Sequence, residues 1–127
     1  MSERDELKSA IRRILHRHDR TNPVSMTRLF QRVTGETVVP ARKHEQSRVI
    51  RALVRELRLD GYPIAFTGGG IGGYYMARDE GELEPTIRTL HSHAMSNLQV
   101  EAALKRVPFG RLLHQYEIEY DEQEVST

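Results

Sequence analysis

The apolar period of this chain changes abruptly at Gly61. From about Lys43 to Leu59, the residues Val49, Ile50, Leu53, Val54 and Leu57 recur at helical spacing and make one face. Gly61 supplies the stop. Beyond it, Tyr62–Phe66 and Tyr74–Ala77 read as two strands, with Pro63 tolerable only near a strand start or on an edge. The stretch Thr67-Gly68-Gly69-Gly70-Ile71-Gly72-Gly73 between them holds no regular structure. A helix that runs straight into strand, glycine loop and strand is a helix followed by a β-hairpin.

Two helices are expected before it. The first spans about Asp5 to His18, with Leu7, Ile11, Ile14, Leu15 and His18 on one face and Asp5 and Glu6 placed to complement the dipole. Asn22-Pro23 breaks the chain. Ser25 is a good N-cap for a short second helix whose buried stripe is Met26, Leu29, Phe30 and Val33, and Gly35 ends it. A loop from Glu36 to Arg42 leads into the third helix. Three helices with a short second one is helix-turn-helix arithmetic, and the hairpin makes it the winged variant.

Downstream, a long helix is expected from about Asp79 to Val107, with Pro85 in its first turn. Leu83, Ile87, Leu90, Ala94 and Leu98 are spaced four, three, four and four, heptad-like for about two heptads. Pro108 ends it. Phe109, Leu112, Leu113 and Tyr116 suggest one or two further helical turns docked on the body. After Tyr116 the chain carries Glu117, Glu119, Asp121, Glu122 and Glu124 with no base, which reads as disordered. The expected fold class is therefore mainly α with a small β-hairpin. A winged helix-turn-helix domain would occupy residues 1–78, a long helix and docking segment residues 79–116, and an acidic tail residues 117–127.

The net charge of +1 hides its arrangement. Residues 1–60 carry 14 Lys and Arg against 8 Asp and Glu, a net of +6; residues 61–127 carry 5 against 10, a net of −5. Twelve of the 14 bases in the first half are arginine, whose planar fork suits phosphate and guanine edges. On the third helix Arg48, Arg51, Arg55 and Arg58 fall within an arc of about 80°, roughly 150° from the apolar face. A recognition helix presents its N-terminal end to base edges in the major groove. Arg42, Lys43, His44, Ser47, Arg48 and Arg51 are thus expected to approach DNA, with Arg55 and Arg58 further along, where they would reach phosphate at most. The hairpin tip has no Lys or Arg, so Thr67 and backbone N–H groups would make any wing contact, with Arg78 the nearby cation at its base.

Other chemistries find little support. With no cysteine there is no disulfide, thiolate metal site or cysteine nucleophile. The glycine loop lacks a following Gly-Lys-Ser/Thr and leads into a strand, so the phosphate-cradle patterns fail. His16 and His18, and likewise His91 and His93, sit two residues apart, about 200° around a helix, so neither pair chelates. No catalytic constellation is evident; no enzyme activity, metal or cofactor is expected. Mean hydropathy is −0.59 and no run approaches the ~20 apolar residues of a membrane span. The acidic start, Met1-Ser2-Glu3-Arg4-Asp5-Glu6, is unlike a signal peptide. A cytoplasmic protein without membrane contact is expected.

The run Arg48-Val49-Ile50-Arg51-Ala52-Leu53-Val54-Arg55-Glu56-Leu57-Arg58-Leu59-Asp60-Gly61-Tyr62-Pro63-Ile64, followed by Gly73-Tyr74-Tyr75-Met76-Ala77-Arg78-Asp79, resembles winged helix-turn-helix proteins of phages and prophages. The resemblance covers about residues 5–105. It implies a DNA-binding regulator of transcription or a phage replication accessory, with the recognition helix at Lys43–Leu59 and the wing at Tyr62–Ala77. The loop Glu36–Arg42, with Val38-Val39-Pro40, is longer and more apolar than a tight turn. Two readings follow. In the first, the chain binds double-stranded DNA sequence-specifically, and the helix at 79–107 pairs two copies. In the second, the winged helix is an adaptor that binds a replication protein, in the manner of a helicase loader. A third idea, that the acidic tail covers the basic helix as a DNA mimic, predicts tighter DNA binding once residues 117–127 are deleted.

Overall fold

A computed structural model describes residues 2–68 and 72–126. Its elements are α1 (Glu3–Leu15), α2 (Met26–Thr34), a 3-10 turn (Pro40–Arg42), α3 (Lys43–Leu59), β1 (Ile64–Thr67), β2 (Gly73–Met76), α4 (Glu80–Lys105) and α5 (Phe109–Ser126). Among the described residues the chain is mainly helical, with a two-stranded antiparallel hairpin and five α-helices. It divides into two compact units, Met1–Thr86 and Ile87–Thr127.

In the first unit α1, α2 and α3 pack on one another. Ser2 caps α1 by accepting from the Asp5 amide, and Ser25 caps α2 by accepting from the Arg28 amide. The core contains Ile11 and Leu15 from α1, Leu29 and Phe30 from α2, Ile50, Leu53, Val54 and Leu57 from α3, and Ile64 and Tyr74 from the hairpin. α1 stops at Leu15, short of His18. That histidine stands beyond the helix, its Nδ1 2.8 Å from the Asn22 carbonyl. Gly61, at φ 106°, closes α3: the Tyr62 amide donates back to the Leu57 carbonyl at 3.0 Å, a turn that favours a residue without Cβ.

The hairpin is in register Ile64↔Met76, Ala65↔Tyr75, Phe66↔Tyr74 and Thr67↔Gly73. Ile64 and Tyr74 face the helical core; Ala65, Tyr75 and Ala77 form the other face, against which Leu83 of α4 packs. A further backbone pair holds it. Val24, in the link between α1 and α2, donates to the Tyr74 carbonyl at 2.8 Å and accepts from the Tyr74 amide at 2.8 Å. The residue following Asn22-Pro23, read from sequence only as a break, thus adds a one-residue third partner to the hairpin. The Phe66 amide, on the outer side of β1, donates to the buried Thr86 hydroxyl at 3.0 Å.

The downstream helices differ from expectation in two ways. α4 begins at Glu80, with the Asp79 carboxylate accepting from the Glu82 amide at 2.8 Å, so Pro85 lies in the second turn rather than the first. The carbonyl a non-proline residue 85 would bond belongs to Gly81, which is exposed to water. The segment 117–126, expected to be disordered, continues α5. Glu and Gln are good helix formers. The helix is anchored where Tyr116 donates to Glu101 at 2.7 Å and stands beside Tyr120, ring centroids 6.3 Å apart. Between α4 and α5 the chain turns through Arg106 at φ 57°, with Val107 donating to Ala102 and Arg106 to Ala103.

Gly73 has no room for a side chain. A Cβ there would lie 2.4 Å from the Val24 carbonyl oxygen, backbone that cannot swing aside. Gly73→Ala is expected to cost about 2 kcal/mol or more, read as a lowered midpoint in urea unfolding. An unchanged midpoint would contradict the close approach.

Candidate nucleic-acid interface

α3 sorts its residues by face. Gln46, Ile50, Leu53, Val54 and Leu57 are buried. Val49, expected among them, is 41% exposed: it lies toward the edge of the stripe, where α1 and α2 do not cover it. Gln46 takes its place in the buried row, four residues before Ile50. Its Oε1 accepts from the Val39 amide at 2.9 Å and its Nε2 donates to the Thr37 carbonyl at 3.3 Å. One buried amide therefore pins the loop from α2 and sets where α3 begins. Residues 46, 50, 53 and 57 share one helical phase, which places Gln46 on the buried face but says nothing of its bonds to the loop.

On the opposite face His44, Arg48, Arg51 and Arg55 are exposed, with half-buried Ser47 at its flank; Lys43, the first residue of α3, is exposed at the helix end on the phase of the buried row. Ser47 donates to the His44 carbonyl at 2.9 Å, Arg51 donates to Ser47 at 3.3 Å, and Arg48 stands 3.3 Å from His44 Nε2. Among the described residues no carboxylate forms an ion pair with Lys43, Arg48, Arg51 or Arg55. The acids of this region are held elsewhere. Glu56 pairs with Arg4 and Asp60 with Lys8, the latter at 2.7 Å, both on the side toward α1. Hydrogen bonding from Arg4 holds the Glu56 carboxyl below the usual range. The result is a helix whose negative side chains are matched within the fold and whose positive ones, Arg58 apart, face water.

The other expected contacts divide. Arg42 lies in the 3-10 turn and pairs with Glu45 at 3.3 Å, both largely exposed. Arg58 leaves the exposed stripe: its Nε donates to the Ile64 carbonyl at 2.8 Å, and burial pushes its pKa down from the usual arginine value. It ties β1 to α3. Burial raises the pKa of the Tyr74 phenol, while the positive charges of Arg58 and Arg51 oppose the rise. Thr67 ends β1, paired with Gly73 and half-buried; the glycine tip at residues 69–71 lies outside the described residues. Arg78 is mostly exposed but is engaged by Asp19, itself held by the Thr21 amide and hydroxyl. Arg78 thus fastens the end of the hairpin to the link after α1.

On α2, Arg28 and Arg32 are exposed; Arg32 approaches His18 Nε2 at 3.3 Å and neither has an ion pair among the described residues. No protein-family model, curated protein or solved structure matches this chain. Among the described residues no helix is long and apolar enough to cross a membrane.

Replacing Gln46 by Ala removes both bonds to the loop and leaves the Val39 amide and Thr37 carbonyl without them. We expect a loss of about 1–3 kcal/mol and markedly faster hydrogen exchange at the Val39 amide. Exchange unchanged there would show that the loop is held by other means.

Proposed function

We propose that the unit Met1–Thr86 is a winged helix-turn-helix that binds double-stranded DNA through α3. The observation that carries this reading is the exposed row Arg48, Arg51 and Arg55, without carboxylate partners in a fold that pairs the other acids of the helix. Desolvated arginine next to carboxylate would be a structural device; hydrated arginine in a row is poised to displace counterions from phosphate. The order of elements also fits: helix, bridging residue Val24, helix, turn, helix, hairpin.

In this pose α3 enters the major groove. Lys43, His44, Ser47, Arg48 and Arg51, on its N-terminal half, are the groups for base edges. Arg55 on α3 and Arg28 and Arg32 on α2 serve phosphates, which fix register without reading sequence. The Ser47 and His44 contacts pre-orient Arg51 and Arg48, so less side-chain freedom is given up on binding. Biological roles in phage or prophage transcription or replication belong to this reading as proposals. The adaptor reading draws on a different observation, the apolar residues left exposed on α4 and α5; it requires capture of a replication protein together with no DNA retention at low salt.

The test is a fluorescence-anisotropy titration of the full chain with random duplex DNA across a salt series. Log K is expected to fall steeply and linearly with log salt. The double variant Arg48→Ala/Arg51→Ala is expected to bind about tenfold or more weakly, with the slope reduced by about one for each phosphate that is no longer neutralised. Arg111→Ala, on α5, is expected to change neither. No binding at low salt, or a double variant with wild-type affinity and slope, overturns the reading.

A further inference from the structure

The cationic face of α3 is also a face of hydrogen-bond donors. Arg48 and Arg51 each spend one N–H on a side chain one turn earlier. Arg48 Nη2 stands 3.3 Å from His44 Nε2, and Arg51 Nη2 donates to Ser47 Oγ at 3.3 Å. Arginine only donates, so the His44 nitrogen it meets presents its lone pair. Ser47 commits its own hydroxyl hydrogen to the His44 carbonyl at 2.9 Å, which leaves its lone pairs for Arg51. A guanidinium has five N–H groups, so each arginine keeps a parallel pair for a two-pronged acceptor. Among the described residues Arg55 has no such side-chain support.

The groups that would read other bases are turned away from this face. Glu45 lies about a quarter turn round α3 and pairs with Arg42 at 3.3 Å. Glu56 pairs with Arg4, and the Gln46 amide is buried against the loop. In the major groove adenine offers an acceptor and a donor, cytosine a donor, and thymine an acceptor and a methyl group. Guanine alone offers two acceptors side by side, N7 and O6. Two buttressed guanidinium groups, with no carboxylate or carboxamide sharing their face among the described residues, match guanine.

We infer that Arg48 and Arg51 each read one guanine, on neighbouring base pairs of the same strand. This rests on the reading of α3 as the helix that enters the major groove. Three residues of helix advance about 4.5 Å, close to the ~3.4 Å between stacked bases. Zinc-finger helices step through successive bases of one strand at the same three-residue interval. His44 and Ser47 are positioning residues, which act through the two arginines. Arg55, a turn further on and without support, serves phosphate. The DNA class this face fits is duplex that contains a GpG step.

Selection of bound duplexes from a library with a randomised window, using the full chain, tests this. Enriched duplexes are expected to share a GpG step. Selection with Arg48→Ala and with Arg51→Ala is expected to lose one guanine each and keep its neighbour. Replacing either guanine of the enriched duplex by 7-deazaguanine, which lacks the N7 acceptor and still pairs with cytosine, is expected to weaken wild-type binding about tenfold. Ser47→Ala is expected to lose the preference at the guanine read by Arg51, with affinity for random duplex unchanged. Ser47→Thr, which keeps the hydroxyl, is expected to retain it. A shared sequence without the GpG step, full tolerance of 7-deazaguanine at both positions, or arginine variants that select the wild-type sequence would each overturn the inference. Where random duplex is still bound with a steep salt dependence, those results overturn this inference alone and leave the DNA-binding reading standing. No binding of random duplex at low salt overturns both.

Discussion

The reciprocal backbone pair between Val24 and Tyr74 is the constraint on which the arrangement of the first unit depends. A two-stranded hairpin by itself is marginal in water. Here it gains a third backbone partner from the link between α1 and α2, and Tyr74, once pinned, turns its ring into the core beside Ile64. The same pair brings the Val24 carbonyl so near to residue 73 that only glycine fits. Arg78 and Asp19 repeat the fastening at the end of β2. Helices and hairpin are thus joined by hydrogen bonds and charge as well as by burial.

With the hairpin fixed, α3 is held from several sides. Its apolar row meets α1 and α2, Gln46 ties its start to the loop, and Arg58 ties its last turns to β1. Arg4 and Lys8 of α1 absorb the acids Glu56 and Asp60. What is left toward water is one cationic face on a rigid element. Rigid presentation is what recognition of a regular polyanion requires, because side chains already in place give up less freedom on binding.

Much of this was legible in the chain. The interval Lys43–Leu59 follows from a sustained apolar period that ends at a glycine, and α2 from Ser25 and Gly35 at its two ends. The strands follow from the change of period. Three features were hidden for physical reasons. Gln46 is polar, and nothing local says that a loop nine residues earlier needs its amide. Arg58 has the phase of the exposed stripe but lies at the end of α3 where β1 begins, so a carbonyl there claims its guanidinium. Val24 makes its bond across half the first unit, and a single bridging residue has no period to read. Of the candidate contacts, Arg48, Arg51 and Arg55 stand together on one face of α3, whereas Arg78 is drawn off by Asp19, a long-range pairing invisible to spacing.

The outer side of β1 has one more consequence. An edge strand offers unpaired amides and carbonyls, a template on which strands of other molecules add. Here Arg58 occupies the Ile64 carbonyl and the Thr86 hydroxyl occupies the Phe66 amide, one from α3 and one from α4. Two side chains from flanking helices stand where a foreign strand would dock. The half-exposed Phe66, an apolar residue on that strand, is thereby left beside an edge that cannot readily nucleate an aggregate.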